Sequence, residues 1–185
     1  VTMMLNLMNM HLVAGMKDEE LRMGSKYFLG TPYEFYPTSD GSQINICVLT
    51  EPHWKAFTQA TGLDHLVDDL RFKTNKERLE NRAELTRIIE ERTRQKTRDA
   101  WVDILLDAGI PCGAVNSIGE VINHPQVKHR KTIVDVDYPN VGKIKMFNNP
   151  VKFSDFEVEV RRPPMMGEHT DEIMEWCDYS PEEIA

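Results

Sequence analysis

The spacing of apolar residues along the chain predicts a mixture of helices and strands. Residues Thr2 to Ala14 are typical of a helix, and their apolar side chains lie almost all round it, which indicates burial on several sides. The stretch from Ile44 to Val48 alternates apolar and polar residues, the pattern of a half-buried strand. Together with the aromatic residues from Tyr33 to Tyr36 and the turn dipeptide Asp40-Gly41, it predicts a hairpin.

Helices are predicted between this hairpin and the middle of the chain. Pro52 is placed at the first turn of a helix that ends at Gly62. A long helix is predicted from about Glu77 to Arg94, with apolar residues on one face. Thr97 is placed to cap a further helix, which Gly109 ends.

The last part of the chain predicts a second hairpin and a final helix. Ile110 to Val115 is typical of a short strand, and Ser117 is placed to cap a short helix. Val134 to Tyr138 and Ile144 to Met146 alternate on either side of a turn, and an acidic amphipathic helix follows from about Thr170 to Cys177. Strict β-α-β alternation is absent, so the predicted class is α+β with antiparallel pairing.

Composition narrows the classes of function. The 185 residues, 41% hydrophobic and 28% charged, suit a globular protein, and the apolar stretch Met3 to Met16 is too short and too polar to cross a membrane. A net charge of -8 disfavours general binding to nucleic acids or anionic membranes, because the field repels phosphates. Cys47, Cys112 and Cys177 form no C-x-x-C pair, which predicts free thiols in a reducing cytoplasm.

Generic motifs assign no chemistry to this chain. It has no G-x-G-x-x-G, Walker, G-x-S-x-G or H-E-x-x-H motif. His124 and His129 are five residues apart with no third ligand nearby in sequence, so no metal site is predicted. Arg78, Arg82 and Arg87 lie in a basic stretch, and we interpret them as solvent-facing partners of nearby glutamates rather than as phosphate contacts.

A set of short motifs occurs along the chain in a fixed order. The set is Pro32-Tyr33, Thr38-Ser39-Asp40-Gly41, Trp54, Asp69-Leu70-Arg71-Phe72, Asn81-Arg82, Trp101, Ala108-Gly109-Ile110-Pro111-Cys112-Gly113, His124-Pro125-Gln126-Val127, Gly167-Glu168-His169-Thr170 and Tyr179-Ser180-Pro181-Glu182-Glu183-Ile184. This set resembles the family III CoA transferases, a family that includes formyl-CoA transferase and α-methylacyl-CoA racemase. The likeness covers nearly the whole chain and depends on the order and spacing of many motifs together.

The resemblance implies that the chain is part of a longer protein. In the family a Rossmann-like domain binds CoA and supplies a nucleophilic aspartate, a small α+β domain covers the active site, and two subunits interlock. We therefore expect residues 1–30 to end the large domain and form a connector, 31–130 to be the small α+β domain, and 131–185 to be a hairpin and returning segment. The N-terminal helix and C-terminal tail would pack on the missing Rossmann-like domain. The nucleophile is expected upstream of Val1, so no catalytic residue is assigned within this chain.

The resemblance also implies a reaction. The aspartate attacks an acyl-CoA thioester, giving a mixed anhydride through which CoA passes to a carboxylic acid. The implied substrates are an acyl-CoA and a carboxylic acid, with no tightly bound cofactor, in a cytoplasmic homodimer, and the present chain alone is expected to be inactive. Two alternatives stay open: an acyl-CoA racemase or epimerase of the same superfamily, and a stand-alone binding domain without catalysis.

The same resemblance places one segment at the active site: Gly30, Thr31, Pro32, Tyr33 and Glu34. In racemase-type members a glutamate at about this position supports the acid/base pair, so Glu34 is the candidate supporting residue. The alternative interpretation of Glu34 is an exposed hairpin carboxylate. Formyl-CoA transferase-like members have a run of glycines in the loop that shields the anhydride, whereas this chain has only Gly24 and Gly30 there, which weakens a formyl/oxalate assignment.

Overall fold

The computed structural model describes Lys17 and residues 23–184. The chain divides into two compact units, residues 1–115 and 116–185. The predicted helix from Thr2 to Ala14 lies outside the described residues. The domain boundaries expected after residues 30 and 130 refer to longer family members, and they stay a prediction.

A three-stranded antiparallel sheet and several helices form the first unit. The strand order is β1-β2-β3, and Tyr36 pairs with Ile44, which confirms the predicted hairpin. The predicted strand from Ile110 to Val115 is shorter in the structure. The elements in chain order are β1 (Tyr33–Pro37), β2 (Gln43–Cys47), α1 (Glu51–Thr61), a 3₁₀ turn (Asp64–Leu66), α2 (Asn75–Glu80), α3 (Arg82–Thr93), α4 (Arg98–Asp107) and β3 (Cys112–Ala114).

One apolar core holds this unit together, because the sheet and the helices each turn an apolar face towards it. Alternation on β1 and β2 and helical spacing on α1, α3 and α4 bring these faces together. Its most deeply buried side chains, each at most 1% exposed, are Tyr36, Ile44, Ile46, Val48, Trp54, Phe57, Leu66, Phe72, Leu85, Ile89, Trp101, Leu105 and Ile110.

The predicted start and stop signals of α1 and α4 are confirmed. Pro52 lies in the first turn of α1, and Gly62 ends that helix in the left-handed conformation, with φ of 68°. Thr50, which was not predicted as a cap, accepts a hydrogen bond from the backbone of α1. Thr97 accepts a hydrogen bond from the backbone N–H of Ala100 at the start of α4. Gly109, with φ of 73°, follows the end of α4.

The long helix predicted from Glu77 to Arg94 is wrong as a single element. The helical region begins earlier, at Asn75, because Thr74 and Glu77 form a capping box. It is interrupted at Asn81, whose ψ is 23°. The side-chain Nδ2 of Asn81 donates to the backbone carbonyl of Glu77 at 2.9 Å. A side-chain bond of this kind competes with regular helical geometry. The region is therefore two helices, α2 and α3.

The second unit contains short helices and a two-stranded antiparallel sheet. Its elements are α5 (Ile118–Asn123), α6 (Pro125–His129), β4 (Ile133–Tyr138), β5 (Gly142–Phe147), α7 (Thr170–Trp176) and α8 (Pro181–Ile184). The predicted second hairpin, the helix capped by Ser117 and the last acidic helix are confirmed. Helices α6 and α8 were not predicted. From residue 116 to 184 every described side chain is at least partly exposed, including Phe147 and Trp176.

Within the described residues, no helix has the length and hydrophobicity that crossing a membrane requires.

The core predicts a sharp contrast between two leucines that differ in burial. Leu105 is 0% exposed and Leu70 is 76% exposed. Leu105→Ala is expected to lower the free energy of unfolding by about 2–5 kcal/mol, since it removes packed atoms and leaves a cavity. The matched control Leu70→Ala is expected to change it by less than about 0.5 kcal/mol. Urea denaturation followed by tryptophan fluorescence measures both, and equal effects would contradict this description of the core.

Candidate functional site

Glu34 is the second residue of β1 and is buried, with 3% exposed. Its Oε1 accepts a hydrogen bond from the Thr86 hydroxyl of α3 at 2.8 Å and another from the Tyr36 hydroxyl at 3.3 Å. Glu34 and Tyr36 share one face of the strand because they are two residues apart. The interpretation of Glu34 as an exposed hairpin carboxylate is therefore wrong, while its role as a supporting residue stays a prediction.

Tyr36 is a neutral hydrogen-bond donor to this carboxylate. Burial, together with the nearby Glu34 carboxylate, raises the pKa of Tyr36 well above its ordinary value. The positive charge of Arg82 acts in the opposite direction on the same pKa. A tyrosine hydroxyl is already protonated at neutral pH, and the raised pKa extends the pH range in which Tyr36 donates to Glu34 to more alkaline values.

The chain leading into β1 is held by side chains of α2 and α3. The Arg82 Nη2 donates to the carbonyl of Gly30 at 2.6 Å and also to the carbonyl of Tyr27. The Asn75 Nδ2 donates to the carbonyl of Leu29 at 2.7 Å. The backbone before β1 is not paired in a sheet or a helix, so these side-chain hydrogen bonds fix its path.

Arg78 of α2 holds the next carbonyl and is itself buried, with 1% exposed. Its Nε donates to the carbonyl of Thr31 at 3.2 Å, and its Nη1 donates to the carbonyl of Phe72 at 3.1 Å. Glu51 accepts two hydrogen bonds from the same guanidinium, at 2.8 and 3.2 Å. The guanidinium carbon lies 4.7 Å from the centre of the Trp54 ring, a cation–π contact.

The interpretation of three arginines as solvent-facing therefore holds for one of them. It is wrong for Arg78 and Arg82, because both donate to backbone carbonyls within the unit. It is confirmed for Arg87, which is exposed and pairs with Glu91 one turn later. The basic stretch by itself did not separate these cases, since all three arginines have glutamates nearby in sequence.

A periodic signal in the sequence could have located Arg78 and Arg82, the two arginines that contact backbone carbonyls. Asn75, Arg78, Arg82 and Thr86 are spaced by three, four and four residues, a spacing that in the single predicted helix puts them on one face beside the apolar stripe. The Asn81-Arg82 pair also belongs to the ordered motifs of the family resemblance. Polar residues at helical spacing next to a buried stripe are candidates for contacts with backbone.

The predicted active-site segment is compact and mostly buried. Gly30, Thr31 and Pro32 are buried, and Tyr33 is half-buried. A Cβ at Gly30 would come within 3.0 Å of Leu49, so this position allows close approach of the backbone to β2 and its continuation. Within the described part of the chain, the Thr31 hydroxyl is buried without a hydrogen-bond partner.

Tyr33 stands at the edge of this segment beside two side chains. Its ring centre lies 4.6 Å from that of Tyr27. A hydrogen bond with the Cys47 side chain raises the pKa of Tyr33. The structure thus brings the predicted segment, Glu34 and the side chains of α2 and α3 into one region of the first unit.

No cluster suited to hold a metal ion occurs among the described residues. All three cysteines are free thiols. Burial raises the pKa of the Cys112 thiol, which disfavours the thiolate that a nucleophilic cysteine requires.

Comparison with known proteins identifies the family. The model of CoA-transferase family III matches residues 1–170 of the chain. The chain belongs to this family. The resemblance stated from the sequence is thereby confirmed, and so is the mixed α+β class with antiparallel hairpins.

Curated relatives of this family III chain are named as CoA-transferases. It is 31% identical over 159 residues to the succinyl-CoA:glutarate CoA-transferase of Homo sapiens, which covers 85% of this chain and 36% of that protein. It is 34% identical over 143 residues to the formyl-CoA:oxalate CoA-transferase of Rhodopseudomonas palustris (strain BisA53), covering 77% and 31%. The chain therefore spans about a third of the length of these curated relatives.

A solved structure of the same type has the same fold. The crystal structure of a CAIB/BAIF family protein from Brucella suis matches with a TM-score of 0.75 and 30% identity. The match covers 95% of this chain and 44% of the other.

The hydrogen bond from Thr86 to Glu34 leads to a prediction about stability in this family III chain. Thr86→Val removes the 2.8 Å donor while keeping a similar shape, and it leaves a buried carboxylate with one donor fewer. The free energy of unfolding is expected to fall by about 1–3 kcal/mol. Thr86→Ser keeps the hydroxyl and is expected to recover most of the loss. Urea denaturation measures both, and a Thr86→Val midpoint equal to that of wild type would show that the bond makes no net contribution.

Tyr36 leads to a prediction about alkaline pH. Its pKa is raised in the folded state, so its contribution to stability is fully present below the unfolded value of about 10. That contribution is lost as the pH rises from there towards the folded pKa. Tyr36→Phe removes the group, so the variant is expected to lose stability less steeply than wild type between about pH 9 and 11. Parallel slopes in urea denaturation across this range would contradict the raised pKa.

Proposed function

We propose that this chain is the C-terminal part of an acyl-CoA:carboxylate CoA transferase. The observation that carries the proposal is the match of CoA-transferase family III over residues 1–170. Relatives in that family are named for transfer of CoA from succinyl-CoA to glutarate and from formyl-CoA to oxalate. The proposed substrates are correspondingly an acyl-CoA and a carboxylic acid.

The proposed chemistry proceeds through a covalent intermediate on an aspartate encoded before Val1. Its carboxylate attacks the thioester carbonyl, the C–S bond breaks, and the products are an acyl-aspartyl anhydride and the CoA thiolate. The CoA thiolate then attacks the aspartyl carbonyl of the anhydride, which releases the donor acid as a carboxylate and leaves an aspartyl-CoA thioester. The acceptor carboxylate displaces the CoA thiolate from this thioester to give a second anhydride. Attack of the thiolate on the acceptor's carbonyl forms the new acyl-CoA and frees the aspartate. A covalent intermediate divides one difficult transfer into easier steps. None of the aspartates in the present chain receives this role.

The contribution proposed for the present chain is to shape and close the site. The segment from Gly30 to Tyr33 faces the reacting groups and keeps water from the anhydride, which would otherwise hydrolyse. Support for this role comes from the four backbone carbonyls that Asn75, Arg78 and Arg82 hold, at Tyr27, Leu29, Gly30 and Thr31. A segment fixed before substrate binds loses little entropy in the reaction.

Glu34 is the proposed supporting residue in this site. It is buried, and two hydroxyl groups fix its carboxylate. Its burial also favours a second candidate function, an acyl-CoA racemase or epimerase, in which a glutamate at about this position supports proton transfer at the α-carbon. The further inferences that the enzyme is a homodimer and cytoplasmic rest on the family resemblance and on the cysteine pattern.

The proposed function predicts that the present chain alone lacks CoA-transfer activity. Purified chain 1–185 is expected to give no glutaryl-CoA from succinyl-CoA and glutarate, whereas a polypeptide extended by the residues encoded before Val1 is expected to transfer CoA to a carboxylic acid. Chromatography of CoA thioesters over a panel of acids measures both.

Three results would redirect this assignment. Transfer by chain 1–185 itself would contradict an upstream nucleophile. Exchange of the α-proton of an acyl-CoA with deuterium, without transfer by the extended polypeptide, would favour the racemase. The absence of both reactions in the extended polypeptide would favour a binding domain without catalysis.

A further inference from the structure

Arg82 lies between the two parts of the candidate site. On one side its Nη2 donates to the carbonyls of Tyr27 and Gly30. On the other side its positive charge lies near Tyr36 and lowers the pKa of the Tyr36 hydroxyl, against the raising effects of burial and of Glu34. One helical turn later Thr86 donates to Glu34. A single turn of α3 therefore contacts both the incoming segment and the buried carboxylate.

The contact with the backbone depends on the shape of the guanidinium. One nitrogen bridges two carbonyl oxygens that are three residues apart, so it closes the chain from Tyr27 to Gly30 into a defined turn. The planar guanidinium directs its N–H groups along fixed directions, whereas a lysine ammonium is a rotating point charge. Asn75 and Arg78 hold the carbonyls on either side of Gly30, and they limit how the turn can shift.

Stability alone does not account for this arginine. The Arg82 Nε is buried and has no hydrogen-bond partner among the residues described. Within the same part of the chain no carboxylate lies within ion-pair distance of Arg82, although exposed pairs such as Arg87 with Glu91 occur on the same helix. An unpaired buried donor is costly to stability, and a functional role is one of the reasons for which native proteins keep such a group.

We propose that Arg82 is a positioning residue of the transfer site, which fixes the segment from Gly30 to Tyr33 relative to the Glu34 carboxylate. It does so through backbone carbonyls and without contact to substrate. This inference rests on the proposed function, because the segment and Glu34 are assigned to the active site there. It goes beyond that function by naming the side chain that sets the geometry.

The first experiment tests the contact itself in the chain 1–185 by hydrogen exchange. The reporters are the N–H of Tyr27, which donates to the Tyr33 carbonyl at 2.9 Å, and the N–H of Val48, which donates to the Pro32 carbonyl at 2.8 Å. Arg82→Gln is expected to speed exchange at these amides by roughly tenfold, with no change in α4. Arg87→Gln, on the exposed side of the same helix, is expected to change neither.

The second experiment tests the consequence for catalysis in the extended polypeptide that transfers CoA. Arg82→Gln is expected to lower kcat on the order of 10- to 100-fold while KM for the acyl-CoA changes by less than about threefold, since misplaced groups slow the chemical step more than binding. Arg82→Lys keeps the charge without the bridge and is expected to recover only part of kcat. Arg87→Gln is expected to match wild type.

The outcomes separate this inference from the proposed function. Faster exchange in α4 together with the reporters would show a general structural role and overturn the inference, as would Arg82 variants with wild-type kcat. If Arg82→Gln does not fold, Arg82→Lys decides by the same two comparisons. A wild-type extended polypeptide without any transfer would contradict the proposed function, and the reporter amides would still decide whether Arg82 holds the segment.

Discussion

The polar face of helices α2 and α3 sets the backbone path of residues 27–37, and the candidate site depends on that contact. From the start of α2 to the end of α3, side chains at helical spacing reach the incoming segment and then β1. Asn75 donates to the carbonyl of Leu29, Arg78 to that of Thr31, and Arg82 to those of Tyr27 and Gly30. Thr86 donates to the carboxylate of Glu34, and Thr93 donates to the carbonyl of Pro37. The segment leading into β1 has few backbone hydrogen bonds of its own, so the side chains of α2 and α3 determine where it lies.

Burying this polar face lowers the stability of the fold, and the apolar core beside it compensates for that loss. Leu85 and Ile89 of α3 are fully buried, and Trp101 donates from its indole N–H to the carbonyl of Thr93 at 2.8 Å. Burying the Arg78 guanidinium would otherwise cost several kcal/mol, and the costs are offset by its carbonyl acceptors, by Glu51 and by the Trp54 ring. The core holds α3 against the sheet, and the polar side chains of α2 and α3 then fix the backbone of residues 27–37 by hydrogen bonds.

Much of the fold could be predicted from the sequence, because its signals are local. Alternation located both hairpins, and caps such as Thr97 with Gly109 bounded a helix within one or two residues. The burial of Arg78 was missed because it depends on partners distant in sequence, such as Glu51, 27 residues away. The break at Asn81 was missed because its signal is a single side-chain bond to Glu77 within an otherwise continuous helical pattern. Glu34 was found through the family resemblance, but only the fold could show that Thr86, 52 residues later, donates to it.

The two units differ in what they need from other parts of a protein. The first unit buries large apolar side chains and satisfies its buried arginine with its own carbonyls, so it can hold the segment from Gly30 to Glu34 in place by itself. In the second unit every described side chain is at least partly exposed, and Phe147 and Trp176 are 83% and 77% exposed. Exposed apolar side chains of this size are typical of surfaces that another domain covers. Relatives of this chain are two to three times as long. Under the proposed function, the positioning is therefore local to the first unit, whereas the reacting aspartate lies outside this chain.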